Sequence, residues 1–331
     1  MLRTKKEYGG FLPLELNLGG NHSYYSDYSN NLAFNTIKAA FSLLSKLLQS
    51  EEIYVPYYLC PNVIRELKKS FNKVEFYYLN DDLLPNIDNL DGKTVYLVDY
   101  FGVMDKVVQK YVNANQETTF LIDNAHSFYN KPIIRGNIFN LYSCKKFFGV
   151  PDGGYLISER RIEQMYKKTT SNQISNYLIK SLEEGTNSCY QDKKAVDEYI
   201  NNNYSGISVF SEELLSRIDY EKVKSIRRNN FNEYQKYFAE INQIKCEKDS
   251  VPYIYPLNMG INIKDKLIRE KVYVPTLWNQ CIEKQFENTL EQNLAANTLF
   301  LPLDQRYEKK DIEFISEKVI AILSEEKNEK R

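Results

Sequence analysis

The sequence predicts an α/β protein in which a mostly parallel sheet is wrapped by helices and followed by a smaller C-terminal α+β domain. Three observations carry that expectation. Short β-branched and aromatic runs alternate with helical stretches over the first half of the chain, the rhythm of parallel strands joined by crossover helices. One run, Thr94–Tyr100 (TVYLVDY), is apolar almost throughout, which suits a strand buried on both faces of a sheet. A length of 331 residues is too great for one small core and fits a large domain joined to a smaller one.

Taken in order, apolar residues Ile37, Ala40, Phe41, Leu44 and Leu47 recur at helical spacing between Leu32 and about Ser50, predicting a first helix. Glu52–Pro56 reads as a strand, Asn62–Phe71 as a helix and Lys73–Leu79 as a strand. The buried strand Thr94–Tyr100 follows, then a helix from about Asp105 to Ala114 and the strand Thr118–Asp123 (TTFLID). Two more strands are expected at Ile138–Tyr142 and Gly154–Ser158. Beyond Arg160 the pattern turns helical, with a long helix over Tyr220–Ile241 leading to the second domain. The expected division is 1–241 for the large domain and 242–331 for the small one, which mixes strands within Tyr253–Ile263 with helices near Leu290 and over Ile312–Leu323.

Composition narrows the function. Hydrophobic residues make up 43% and charged residues 26%, with a formal net charge of −1, so nothing in the charge favours nucleic acid or an anionic membrane. No apolar run approaches the roughly 20 residues that span a bilayer, and the charged start lacks the apolar core of a signal peptide. A cytoplasmic location is expected. The five cysteines (Cys60, Cys144, Cys189, Cys246, Cys281) include no Cys-x-x-Cys pair, which argues against a zinc site or a disulfide framework. With only His22 and His126, a histidine-rich metal centre is excluded and no metal is expected. The 27 tyrosines are spread over the whole chain, which favours the codon bias of an AT-rich genome, with aromatic burial, over an aromatic sugar-binding surface.

In a parallel α/β sheet, functional groups collect at the carboxyl ends of the strands. Asp123 closes an apolar strand there, where a carboxylate serves either chemistry or the capping of the next segment. Lys145 and Lys146 sit within Phe139–Tyr155 (FNLYSCKKFFGVPDGGY), an unusually apolar setting for lysine. A desolvated lysine gives up part of its preference for the charged form, and a neutral amine attacks aldehydes; a lysine pair on a surface loop is the plainer alternative. Phe34-Asn35-Thr36 opens the first expected helix, a place for a phosphate or for an ordinary N-cap.

These segments resemble the DegT/DnrJ/EryC1/StrS sugar aminotransferases, pyridoxal-phosphate enzymes of the aspartate-aminotransferase fold. Ile122–His126 (IDNAH) is similar to the family's acidic strand end, and Phe139–Lys145 (FNLYSCK) to its segment carrying the Schiff-base lysine, with Asp152-Gly153-Gly154 closing it. Val98–Gly102 and Ile53–Pro61 look like the strands upstream, and Arg227–Asn230 and Phe300–Tyr307 also look familial. The resemblance implies pyridoxal 5'-phosphate as cofactor, Lys145 as its lysine with Lys146 as competitor, Asp123 as partner of the ring nitrogen and His126 beside the ring. It implies further cofactor contacts at Asn35, Thr36, Tyr58, Cys60 and Asn140. The phosphate-binding serine of the family is Asn140 here, and its Ser-Gly-Arg/Thr is Phe34-Asn35-Thr36. The implied activity is transamination of a nucleotide-linked keto-sugar, with glutamate as amino donor, by a homodimer serving surface polysaccharide or deoxysugar synthesis. A retained lysine disfavours the dehydrating branch of the family, where histidine stands instead. The altered phosphate anchors motivate the alternative, a non-catalytic member that binds a sugar nucleotide or a protein.

Overall fold

The computed structural model describes residues 8–10, 23–164 and 166–329; His22 lies outside them. In chain order the elements are β1 (Tyr8–Gly9), β2 (Asn31–Phe34), α1 (Phe41–Leu48), β3 (Glu52–Pro56), α2 (Pro61–Ser70), β4 (Lys73–Tyr77), β5 (Thr94–Val98), α3 (Asp105–Ala114), β6 (Thr119–Asp123), β7 (Ile138–Ser143) and β8 (Gly154–Ser158). There follow α4 (Asn176–Glu184), α5 (Tyr190–Asn202), α6 (Val209–Ser216), α7 (Tyr220–Phe238), β9 (Tyr255–Asn258), α8 (Lys264–Arg269), β10 (Val272–Tyr273), α9 (Leu290–Asn297), β11 (Thr298–Leu301) and α10 (Lys309–Glu329).

Seven strands form the main sheet in the order β2-β8-β7-β6-β5-β3-β4. The five from β7 to β4 are parallel, and β8 and β2 close the other edge antiparallel. The central strands β5 and β8 are buried at every position, and β6 and β7 at all but one. That is what continuous apolar runs between two helical layers produce. The carboxyl ends of β3, β5, β6 and β7 therefore lie along one edge, and Phe34 of β2 and Gly154 of β8 pair at that same edge.

One expectation changes. The residues assigned to the start of a first helix form the edge strand β2, then a 3-10 turn at Ile37–Ala40, and only then α1. Leu32 and Ala33 pair with Leu156 and Tyr155, and Thr36 is fully extended (φ −157°, ψ 150°). Ladder pairing with β8 outweighs the helical spacing further on, a tertiary override of local pattern. The strands at 73 and 94 are also shorter than expected. After β5 the chain turns sharply through Phe101 (φ +63°) and Gly102 (φ +78°).

After Asn242 the strands belong to two small sheets: β9 pairs with β11 antiparallel, and β10 pairs in parallel with β1 from near the start of the chain. α10 packs on α7 and α8. Arg227 on α7 is fully buried and ties the parts together. Its guanidinium donates to the carbonyls of Pro252 and Tyr253 (both 3.2 Å) and Phe147 (3.3 Å) and to Gln305 Oε1 (3.0 Å). It also lies 4.7 Å from the centroid of the Phe147 ring. This fixes the segment after Lys146 against the strand entry at Tyr253.

Candidate active site

The strand ends open into a cavity of about 680 Å³, within the range of small-molecule sites. Its lining includes Thr36, Lys38, Cys60, Asp123, His126, Lys145, Lys146, Asp197, Tyr253 and Trp278. Asp123 ends β6, where the apolar strand brings it in buried. Its Oδ1 accepts from the Ala125 amide (2.9 Å) and its Oδ2 from the Tyr96 hydroxyl (2.8 Å). Burial raises its carboxyl above the usual range, against the pull of those two donors and of the Lys146 charge.

His126 packs parallel to Trp278 (2° between planes, centroids 5.8 Å apart) and at 26° to Tyr253 (5.2 Å). Its backbone carbonyl accepts from the Tyr253 amide (3.0 Å). Burial, helped by the Lys146 charge, pushes the imidazole down to about 3, so it is neutral at physiological pH. Its Nδ1 is buried without a hydrogen-bond partner. A buried polar atom left open in this way marks a place where something else bonds.

The two lysines part company in the 3-10 turn Cys144–Lys146. Lys146 Nζ stands 5.0 Å from the Tyr253 ring centroid. Burial lowers its pKa, but its neighbours Tyr253, Cys60, Asp197 and Asp123 outweigh burial and raise it above the lysine norm. Lys145 instead pairs with Asp197 on α5, and its pKa is lowered by burial with Asp197 opposing. Lys193, one helical turn before Asp197, bonds the other carboxylate oxygen (2.5 Å). Asp197 is held far below the usual carboxylate range by these two cations, burial notwithstanding. Lys38 donates to Asn201 Oδ1, and burial brings it down to about 8.

Of the residues expected at the site, Asp123, His126, Lys145, Thr36 and Cys60 line this one cavity. Asn140, Asn35 and Tyr58 do not. The Asn140 amide is bonded to the Ile133 and Ile157 carbonyls (2.9 and 3.2 Å) and its Oδ1 accepts from the Ile133 amide (3.0 Å). The Asn35 amide is bonded to the Asn203 carbonyl (2.7 Å) and Ser205 Oγ (2.9 Å). Tyr58 is packed between Tyr100 and Trp278. Lys38, Lys193, Asp197, Tyr253 and Trp278 were not singled out in the sequence. Lys193 and Asp197 carried only an i,i+4 charge pairing, which ordinarily marks a solvated helix face. Among the described residues no three or more His, Cys, Asp or Glu side chains are gathered to hold a metal. No helix among them is long and apolar enough to cross a membrane.

The amino-acid sequence matches no family model and no curated protein. The three-dimensional structure does have solved counterparts. Helicobacter pylori PseC, an aminotransferase involved in the biosynthesis of pseudoaminic acid, superposes with a TM-score of 0.64 at 13% identity, over 97% of this chain and 100% of that one. A DegT DnrJ EryC1 StrS aminotransferase from Brucella abortus gives 0.59 at 13% identity, over 90% and 87%. The fold is that of the DegT/DnrJ/EryC1/StrS aminotransferases. The same fold holds another chemistry in the E. coli GDP-4-keto-6-deoxy-D-mannose-3-dehydratase, solved with bound hydrated PLP, which matches at 0.59 and 14% identity over 88% of this chain and 87% of that one.

Proposed function

We propose that the cavity binds pyridoxal 5'-phosphate and that the protein is an aminotransferase. The substrate we propose is a nucleotide-linked keto-sugar, with glutamate as amino donor. The observation that carries the reading is one cavity holding a buried strand-end carboxylate, a neutral histidine with an open nitrogen and a lysine pair. The residues fit the group. Asp123 lines the cavity with each oxygen fixed by a donor, His126 and Trp278 offer flat faces, and an amine stands within the same walls.

Bound there, pyridoxal phosphate supplies an aldehyde that condenses with amines and a ring that accepts electrons from the adjacent carbon. Asp123 would hold the ring nitrogen protonated, and that paired charge would offset the burial of its carboxylate. A lysine amine of the cavity would serve as the base that moves the proton from and to the substrate carbon. His126, neutral at working pH, packs without adding charge and offers its Nδ1 to a polar group of the ligand. Tyr253 and Trp278 would add apolar surface to the walls around the ligand.

The exposed apolar residues Ile179 and Leu182, three positions apart on α4, support a homodimer built on that helix. A second reading, a binding protein without turnover, is favoured by one observation: the amides of Asn35 and Asn140 are bonded within the fold and do not reach the cavity. The glutamate half-reaction separates the two. The chain loaded with pyridoxal phosphate is expected to release one equivalent of 2-oxoglutarate per site when mixed with glutamate. Cofactor binding without 2-oxoglutarate, across a panel of amino acids, would establish the second reading instead.

A further inference from the structure

We propose that Asp197 is a positioning residue of the reaction: its carboxylate, shared between Lys145 and Lys193, holds the Lys145 amine in the cavity whenever that amine is not bonded to the cofactor. This rests on reading the cavity as a pyridoxal-phosphate site, with Lys145 in the place of the Schiff-base lysine that its sequence register gives it.

The argument begins with α5. Its residues Tyr190, Lys193, Asp197, Ile200 and Asn201 all line the cavity, and their helical spacing sets them along one face. Tyr190 at one end is exposed and Ile200 near the other is buried, so the helix runs from the mouth inwards. The inner end is fastened to the large domain. Lys38 donates to Asn201 Oδ1, and the Asn35 side-chain amide donates to the Asn203 carbonyl (2.7 Å). Asp197 therefore enters the cavity from a wall that is itself held in place.

Each oxygen of that carboxylate has its own lysine. Oδ2 accepts from Lys193 (2.5 Å), one turn back on the same helix, and Oδ1 accepts from Lys145 in the turn after β7. A helix-surface pair is complete with two partners; this one reaches across to a third. The other titratable groups acting on the pair are Lys38 before α1, Asp152 ahead of β8, Lys146 beside Lys145 and Tyr177 of α4. Asp152 is committed elsewhere, accepting from the Ser208 amide (2.9 Å) and hydroxyl (2.7 Å). Burial favours the neutral form of Lys145, and so does the Lys193 charge, while Asp197 opposes both. Removing Asp197 therefore frees the amine of its proton at lower pH, and removing Lys193 does the reverse.

The pair acts at two moments. To bond the cofactor, Lys145 first releases its ammonium proton to solvent. The neutral amine then adds to the aldehyde carbon, a C=N bond replaces the C=O bond, and the oxygen leaves as water. Asp197 slows this step, because it holds the ammonium. Once the substrate's amine has displaced Lys145, the freed Nζ takes the proton from the substrate carbon, whose electron pair stays behind. Lys145 is then an ammonium again, and Asp197 supplies its counter-charge where the proton is handed on.

The test compares wild type, Asp197→Asn and Lys193→Gln as full chains. Without cofactor, acetylation of Lys145 by acetic anhydride is followed against pH in a mass spectrometer. The bend of that profile should move down by about one pH unit or more in Asp197→Asn and move up in Lys193→Gln. A bend that stays in Asp197→Asn overturns the proposal; should that variant not fold, a bend that stays in Lys193→Gln does so. The second measurement adds pyridoxal 5'-phosphate at pH 7. Its uptake, read from the visible band, should be about tenfold faster in Asp197→Asn, one pH unit's worth of neutral amine. Release of 2-oxoglutarate from glutamate should be about tenfold slower or more in the same variant. Damage to the fold alone would slow both, and that result, or an uptake rate indifferent to Asp197, would contradict the positioning role while leaving the cofactor reading standing. A wild-type chain that takes up no cofactor would end both.

Discussion

Burial acts in opposite senses on the ionisable side chains around the cavity. It raises Asp123, lowers His126 to about 3 and lowers Lys38 to about 8, each towards its neutral form. Asp123 is the group whose charge a bound pyridinium would restore. Asp123→Asn keeps the size and loses the charge, and transamination is expected to fall by on the order of a hundredfold or more, measured as kcat for the glutamate half-reaction. A second buried acid, Asp99, accepts from Asn130 (2.7 Å) and is raised by burial to about 7, with its hydrogen bonds opposing. Its folded pKa lies above the unfolded value, so its contribution to stability is full below about pH 4 and is lost as pH rises through 7. Asp99→Asn should therefore gain on wild type in urea midpoint between pH 5 and pH 8; an equal difference at both pH values would refute this. Asp123 was legible in the sequence because it closes an apolar run. That Lys145 turns to Asp197 and Lys146 to the Tyr253 ring was not, because it depends on the phase of one 3-10 turn. Asp197 was not legible either, since a Lys-Asp pair one helical turn apart reads as solvent-facing.

Among the elements, the parallel strands β3, β5, β6 and β7 were the most readable, because burial on both faces writes itself as an unbroken apolar run. β2 escaped. It has only four residues, and its assignment depends on a partner, β8, more than a hundred positions away. The join of these two strands to the cavity rests on Gly154. A Cβ at that position would lie 2.6 Å from the Ile37 nitrogen and 2.9 Å from its Cγ2, so the turn carrying Thr36 and Lys38 would have to shift. Gly154→Ala is expected to cost about 1–3 kcal/mol, read from the urea midpoint, and to weaken cofactor binding as the cavity wall carrying Thr36 and Lys38 moves. Unchanged stability would show that the turn yields more easily than this packing suggests. The helices α4 to α6 were foreseen only as a helical region, since their apolar residues are partly outward-facing and mark no single stripe.

At the scale of the whole molecule, the architecture survives at 13% identity to PseC because it needs a pattern of buried runs and crossovers rather than particular side chains. The site needs particular side chains, and they come from distant segments: 36–38, 60, 123–126, 145–146, 193–197, 253 and 278. Arg227 holds several of these in register by clamping the Phe147, Pro252 and Tyr253 carbonyls. The outward apolar residues of α4, exposed by 51% at Ile179 and 57% at Leu182, belong to this scale also. A two-chain particle is expected by light scattering, and Leu182→Lys should shift it towards the single-chain mass; a wild-type chain that stays single at high concentration would contradict the dimer. The central claim is that the cavity is a pyridoxal-phosphate site, and a visible absorbance titration of the purified chain with pyridoxal 5'-phosphate tests it most directly. The account predicts a saturable visible band at one ligand per chain, bleached by glutamate in wild type. No saturable band in the wild-type chain would contradict it.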